Sequence, residues 1–95
     1  MIGGLSVQMT NSFIRDFDRL SNDLRAAVIA CIDDLKEEVV PPGRRLHVVS
    51  PKGKKPTIFT VDVRSNKSHK LSFQVENRVA ILRRIATHKE IDRSP

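Results

Sequence analysis

The pentapeptide "VVPPG" at positions 39–43 divides the chain into two halves with different hydrophobic periods. Before it, apolar residues recur every three or four positions. After it, they alternate. Pro41 and Pro42 cannot continue a helix and Gly43 turns the chain, so the boundary is also chemical. A 95-residue chain has material for one modest core, which makes 1–95 a single domain of α+β class.

In the first half, "NSFIRDFDRLS" (11–21) places Phe13, Ile14, Phe17 and Leu20 on one stripe of a short amphipathic helix. Ser21 reads as the N-cap of a second helix, with Asp23 in its first turn. There Leu24, Ala27, Val28, Cys31, Ile32 and Leu35 form the buried stripe, and Cys31 is core filler rather than a nucleophile. The second half offers strands at "RRLHVV" (44–49), "TIFTVDVR" (57–64), "HKLSFQV" (69–75) and "RVAILRRIATH" (78–88), joined by the basic turn 50–56, by "SNKS" (65–68) and by "EN" (76–77). "LSVQM" (5–9) can supply a further strand. The expected architecture is a helical hairpin on one face of a mainly antiparallel sheet of four or five strands. Alternation puts Thr60, Asp62, Arg64, Lys70, Ser72 and Gln74 on the opposite face, turned to water or a ligand. In the last strand both alternating sets hold apolar residues and an arginine, so periodicity does not assign its inward face.

Charge follows the same division. Residues 1–43 carry four basic and seven acidic side chains, a net of −3, whereas residues 44–95 carry thirteen and four, a net of +9. A basic C-terminal half suits a polyanion, because neutralised phosphates release counterions; a solvated basic surface is the other reading. Arg44, Arg45, Lys52, Lys54, Lys55, Lys67 and Arg84 are the RNA-binding candidates, with Arg83 a possible extension of the patch. No run is apolar enough to span a bilayer, and the N-terminus has no secretory pattern. The lone cysteine rules out an intramolecular disulfide and suits a reducing cytoplasm. No Cys/His ligand spacing appears, so neither a metal nor another cofactor is expected.

The segment "IATHKEID" (85–92) closes a strand on His88. Imidazole suits proton transfer near neutrality; the other reading is a histidine that caps a carbonyl or pairs with Glu90 or Asp92. His47, on the expected outer face, is a second proton-transfer candidate. His69 shares a face with Leu71 and Phe73 and reads as a partly buried, satisfied ring. All four phenylalanines fit core positions, and tryptophan and tyrosine are absent. Little is left to stack unpaired bases, so an independent sequence-reading nuclease is not expected.

The strings "FIRDFDRLSNDLRAAV", "PPGRRLH", "IFTVDVRSNKSHKLSF" and "ILRRIATHKEID", in that order, resemble the RelE/ParE superfamily of toxin–antitoxin toxins, and in particular its histidine-bearing members such as YafQ and YoeB. The resemblance extends from about residue 8 to the C-terminus. It implies a ribosome-dependent endoribonuclease that cuts messenger RNA by 2′-hydroxyl attack on the adjacent phosphate, inhibits translation and is neutralised by a cognate antitoxin. Ribosome and messenger RNA would be its other partners. It also implies catalytic roles for His88, Lys70 and Arg64, and the outer-face position of His47 adds that residue to the catalytic candidates. The strand lysines of RelE-type members would fall at Thr60 and Asp62, and Lys70 stands where many members carry arginine. The same superfamily contains ParE-like, non-enzymatic gyrase inhibitors, and a non-catalytic nucleic-acid-binding relative is the third possibility.

Overall fold

The computed structural model describes residues 4–48, 57–64 and 68–93. Its elements run β1 (Ser6–Met9), α1 (Asn11–Asp18), α2 (Asn22–Leu35), a 3-10 turn (Pro42–Arg44), β2 (His47–Val48), β3 (Ile58–Asp62), β4 (His69–Glu76), β5 (Val79–Thr87) and α3 (His88–Arg93). The sheet order is β1-β5-β4-β3-β2. Three of the four pairings are antiparallel, and β1 joins β5 in parallel. The expected α+β architecture is therefore present, as a mixed five-stranded sheet with the helical hairpin on one face.

Both hairpin helices begin on hydroxyl caps. Thr10 Oγ accepts the Phe13 amide at 3.1 Å and donates to the Leu82 carbonyl at 2.9 Å, which ties the start of α1 to β5. Ser21 Oγ accepts the Leu24 amide at 3.3 Å, as its position before the second apolar stripe predicts. Phe13, Val28, Cys31, Ile32 and Leu35 from the helices meet Val61, Val63, Leu71, Phe73, Ala80, Leu82 and Ile85 from the sheet side. Phe59 and Phe73 stack across β3 and β4 with ring centroids 5.7 Å apart.

The ambiguous last strand has a local cause. The β4–β5 register shifts between Ser72 and Phe73: Ser72 lies opposite Arg84 but Phe73 lies opposite Leu82, leaving Arg83 as the extra residue of a bulge. Ala80 and Leu82 point into the core on one phase, and Ile85 does so on the other. A strand whose phase changes midway presents apolar residues in both alternating sets. The turn before it uses Asn77 and Arg78, with φ of 52° and 63°, the left-handed pair of a two-residue hairpin.

Burial pushes the Cys31 thiol up to about 11. A raised thiol pKa favours the protonated form in the native state, so the native thiol is neutral at pH 8 and folding loses stability as pH rises from the unfolded value of 9.0 towards 11. Ellman's reagent at pH 8 should therefore leave the folded protein unlabelled and should titrate one thiol in guanidinium. Fast labelling of the folded chain would place Cys31 outside the core.

Candidate functional site

The sheet face opposite the hairpin departs from expectation. Thr60, Asp62, Lys70 and Ser72 do lie together there, but all are buried, with Lys70 only 3% exposed. The register brings them together: Thr60 pairs with Ser72, and Asp62 with Lys70. Part of the cover is α3, which packs against β4 and β5 and carries the fully buried Ile91. That helix is absent from the sequence expectation, which ran the strand through His88. Its signal was nevertheless present as "THKE". Thr87 Oγ donates to Glu90 Oε1 at 2.9 Å, Glu90 Oε1 accepts the Thr87 amide at 3.2 Å, and the Glu90 amide reaches back to Thr87 Oγ at 3.4 Å. This reciprocal Thr/Glu capping box starts a helix. Hydrogen bonds from the Thr87 hydroxyl and amide hold the Glu90 carboxyl below the usual carboxylate range, and Arg84 and His69 add attraction.

His88 is thus the exposed first residue of α3 rather than a strand end. Register relates it to Lys70, because Ala86, two residues earlier, is the strand partner of Lys70. His47 touches Lys70 directly. This exposed residue of edge strand β2 lies opposite Thr60, and its Nε2 is 3.3 Å from Lys70 Nζ and 3.2 Å from Thr60 Oγ. Its Nδ1 is 2.8 Å from the Arg45 carbonyl, which can only accept. In the neutral ring the proton therefore sits on Nδ1, and Nε2 turns a lone pair to the lysine and threonine. The arrangement places an exposed acceptor directly on a buried ammonium. Beside it, Arg45 Nε stands 3.6 Å from Asp62 Oδ2.

The other expected residues are distributed differently. Arg64 lines a separate recess with Asp34, Pro41, Gly43, Arg44 and Asp62, where its Nε is buried without a hydrogen-bond partner. Arg44 is committed internally: Nε binds Asp34 Oδ2 at 2.7 Å, and Nη1 binds the Asp62 and Val63 carbonyls at 3.2 and 2.9 Å. Arg84 Nε pairs with Asp16 Oδ2 at 3.0 Å, and Arg83 Nη1 with Gln74 Oε1 at 2.8 Å. His69 is half-buried with Nδ1 3.1 Å from Ser68 Oγ. Lys52, Lys54, Lys55 and Lys67 lie outside the described residues. Among the described residues no group of three His, Cys, Asp or Glu side chains could hold a metal ion, and no helix is long and apolar enough to cross a membrane.

No protein-family model matches the sequence, and no curated protein matches it either. Solved structures do. The chain superimposes on the archaeal RelE–RelB complex of Pyrococcus horikoshii OT3 with a TM-score of 0.70 at 11% identity, covering 88% of this chain and 94% of that one. The toxin–antitoxin complex RelBE2 of Mycobacterium tuberculosis gives 0.69 at 19% identity, covering 93% and 95%. YafQ of E. coli gives 0.65 at 10% identity, covering 92% and 97%. The fold is that of RelE-type toxins.

Proposed function

We propose that this chain is the toxin of a toxin–antitoxin pair and acts as a cytoplasmic, ribosome-dependent messenger-RNA endoribonuclease. The observation that carries the reading is the His47–Lys70 contact, held on the polar side of a sheet with the RelE-type fold. Phosphodiester cleavage by the neighbouring ribose needs a base for the 2′-hydroxyl, positive charge beside the phosphate oxygens and a proton for the departing 5′-oxygen. As Lys70 turns from His47 to the phosphate, the freed Nε2 lone pair of His47 takes the 2′-hydroxyl proton while the oxygen–phosphorus bond forms. The Lys70 ammonium stabilises the charge on the phosphate, and Arg64, from the separate recess that it shares with Asp62, adds longer-range attraction. His88 supplies the proton to the 5′-oxygen as its bond to phosphorus breaks, leaving a 2′,3′-cyclic phosphate and a free 5′-hydroxyl. Arg45 with Lys52, Lys54, Lys55 and Lys67 adds attraction for ribosomal RNA.

The antitoxin reading has support of its own. The structures of the archaeal and mycobacterial relatives are toxin–antitoxin complexes. The chain also has an apolar recess between α1, α2 and β1, lined by Met9, Phe13, Ile14, Phe17, Ile29 and Ile32. It suits the apolar face of an amphipathic helix.

Expression without antitoxin should arrest translation and leave transcripts cut within codons at cyclic-phosphate ends. His88→Ala and His47→Ala should each relieve the arrest. Arrested cells with intact transcripts would remove the nuclease assignment. One observation favours a second reading, a non-enzymatic gyrase inhibitor: Thr60 and Asp62, where RelE-type strand lysines would fall, are buried and carry no positive charge. Loss of supercoiling activity at stoichiometric dose would select that reading.

A further inference from the structure

Arg15 of α1 and Arg19, the C-cap of that helix, are basic residues in the acidic half of the chain. Arg15 and Arg19 are spaced i, i+4 and are both exposed, so they share one helix face. The fold sets that face beside Arg84 of β5. Ser12, Arg15, Asp16, Arg19 and Arg84 line one recess. Asp16, Arg19, His69, Arg84, Thr87 and Glu90 help to line a second. The two share Asp16, Arg19 and Arg84, so they form one furrow that runs from α1 to the Thr87–Glu90 capping box, which brackets His88.

The carboxylates in this furrow are already committed. Asp16 Oδ2 accepts from Arg84 Nε and from the Ile85 amide, each at 3.0 Å, and Glu90 Oε1 accepts from the Thr87 hydroxyl and amide at 2.9 and 3.2 Å. The α1 guanidiniums are not. Arg15 makes a single long contact, Nη2 to Ser12 Oγ at 3.5 Å, and the Arg19 guanidinium has no partner among the described residues. Two exposed cations about one helical turn apart, over a floor whose carboxylates already hold hydrogen-bond donors, match successive groups of a linear polyanion.

We infer that this furrow binds the phosphodiester backbone of single-stranded RNA and leads it towards His88. Arginine grips phosphate through its planar fork. The imidazole of half-buried His69 is the one aromatic ring among the lining residues of the two recesses, so the contact reads charge more than base sequence. An acidic peptide fits less well. Peptide docking draws on apolar anchors, and the apolar recess of this chain is a different one that shares no residue with the furrow. The inference deepens the nuclease reading and rests on it for the direction of the strand, but the binding itself is measured without cleavage.

The test is fluorescence anisotropy of the full chain with a short labelled 2′-O-methyl RNA, which lacks the nucleophile, across a salt series. Arg15→Gln/Arg19→Gln should weaken binding about tenfold at low salt, equally for unrelated sequences. It should also reduce the log–log salt slope by about 1.4, since each phosphate neutralised on a single strand contributes roughly 0.7. The control Lys36→Gln/Arg78→Gln removes the same charge elsewhere and should leave the slope unchanged. Both α1 side chains are exposed, so melting should match wild type, and Arg19→Gln alone gives half the effect if the pair disturbs folding. An unchanged slope in the α1 variant, an equal loss in the control, or competition by an acidic peptide as effective as RNA of equal charge would overturn the furrow. Intact binding in a protein that never cuts messenger would leave the furrow standing and remove only the nuclease.

Discussion

Lys70→Met lowers messenger cleavage on programmed ribosomes by about 10²- to 10³-fold, the usual scale for removing one preorganised charge stabiliser. Three features make this the largest functional effect expected of any single substitution. Lys70 is 3% exposed, so its charge acts where water screens it least. Its Nζ lies 3.3 Å from His47 Nε2, so removing it also removes the partner that orients the base. Methionine has nearly the same length and no charge, which keeps the buried space beside β4 filled. A single-turnover assay on ribosomes carrying a defined messenger reads the rate, and a thermal melt checks that the fold survives. Wild-type cleavage by a folded Lys70→Met protein would remove Lys70 from the chemistry.

Arg44→Ala destabilises the fold by about 2–3 kcal/mol, since it leaves a carboxylate and two carbonyls without their shared donor. The Arg44 side chain is 18% exposed and clasps Asp34 of α2 to the carbonyls of Asp62 and Val63, joining the end of the hairpin to the end of β3. For a domain of this size the melting temperature should fall by roughly 10–20 °C. Arg44→Lys keeps the charge but loses the planar fork, so it should restore little of that loss. If Arg44 served RNA attraction alone, the lysine variant would melt like wild type and only the alanine variant would bind RNA less well. The two melts decide between a clasp and a surface cation.

Much of the framework was legible because local chemistry and tertiary packing agree there. The period change at 39–43, the Ser21 cap and the shared inward set of Val61, Val63, Leu71 and Phe73 all follow from spacing alone. The polar face was misjudged for a physical reason. Alternation tells which residues share a side of the sheet, but not whether another element will cover that side. Here α3 packs against β4 and β5, and Lys70 becomes a buried cation instead of a solvated one. The covering helix has a sequence signature, the Thr87-x-x-Glu90 capping box, which ends the alternation of β5 one residue before His88. Parallel pairing of β1 with β5 could not be read from "LSVQM", since strand direction depends on the path of the intervening chain. For the candidate site, spacing marked His47 and Lys70 separately, and only the pairing of β2 with Thr60 and of β4 with β3 brings them into contact.

The rim of β5 beyond β1 is sealed by side chains and not by another strand. Thr10 occupies the Leu82 carbonyl through both its amide and its hydroxyl, and Asp16 occupies the Ile85 amide. A foreign polypeptide sliding along that border would find these hydrogen-bonding groups taken, so the sheet cannot extend there into a neighbouring molecule. This border is thereby guarded against fibril-like stacking during overproduction, and whatever associates with the protein on that side must grip through side chains.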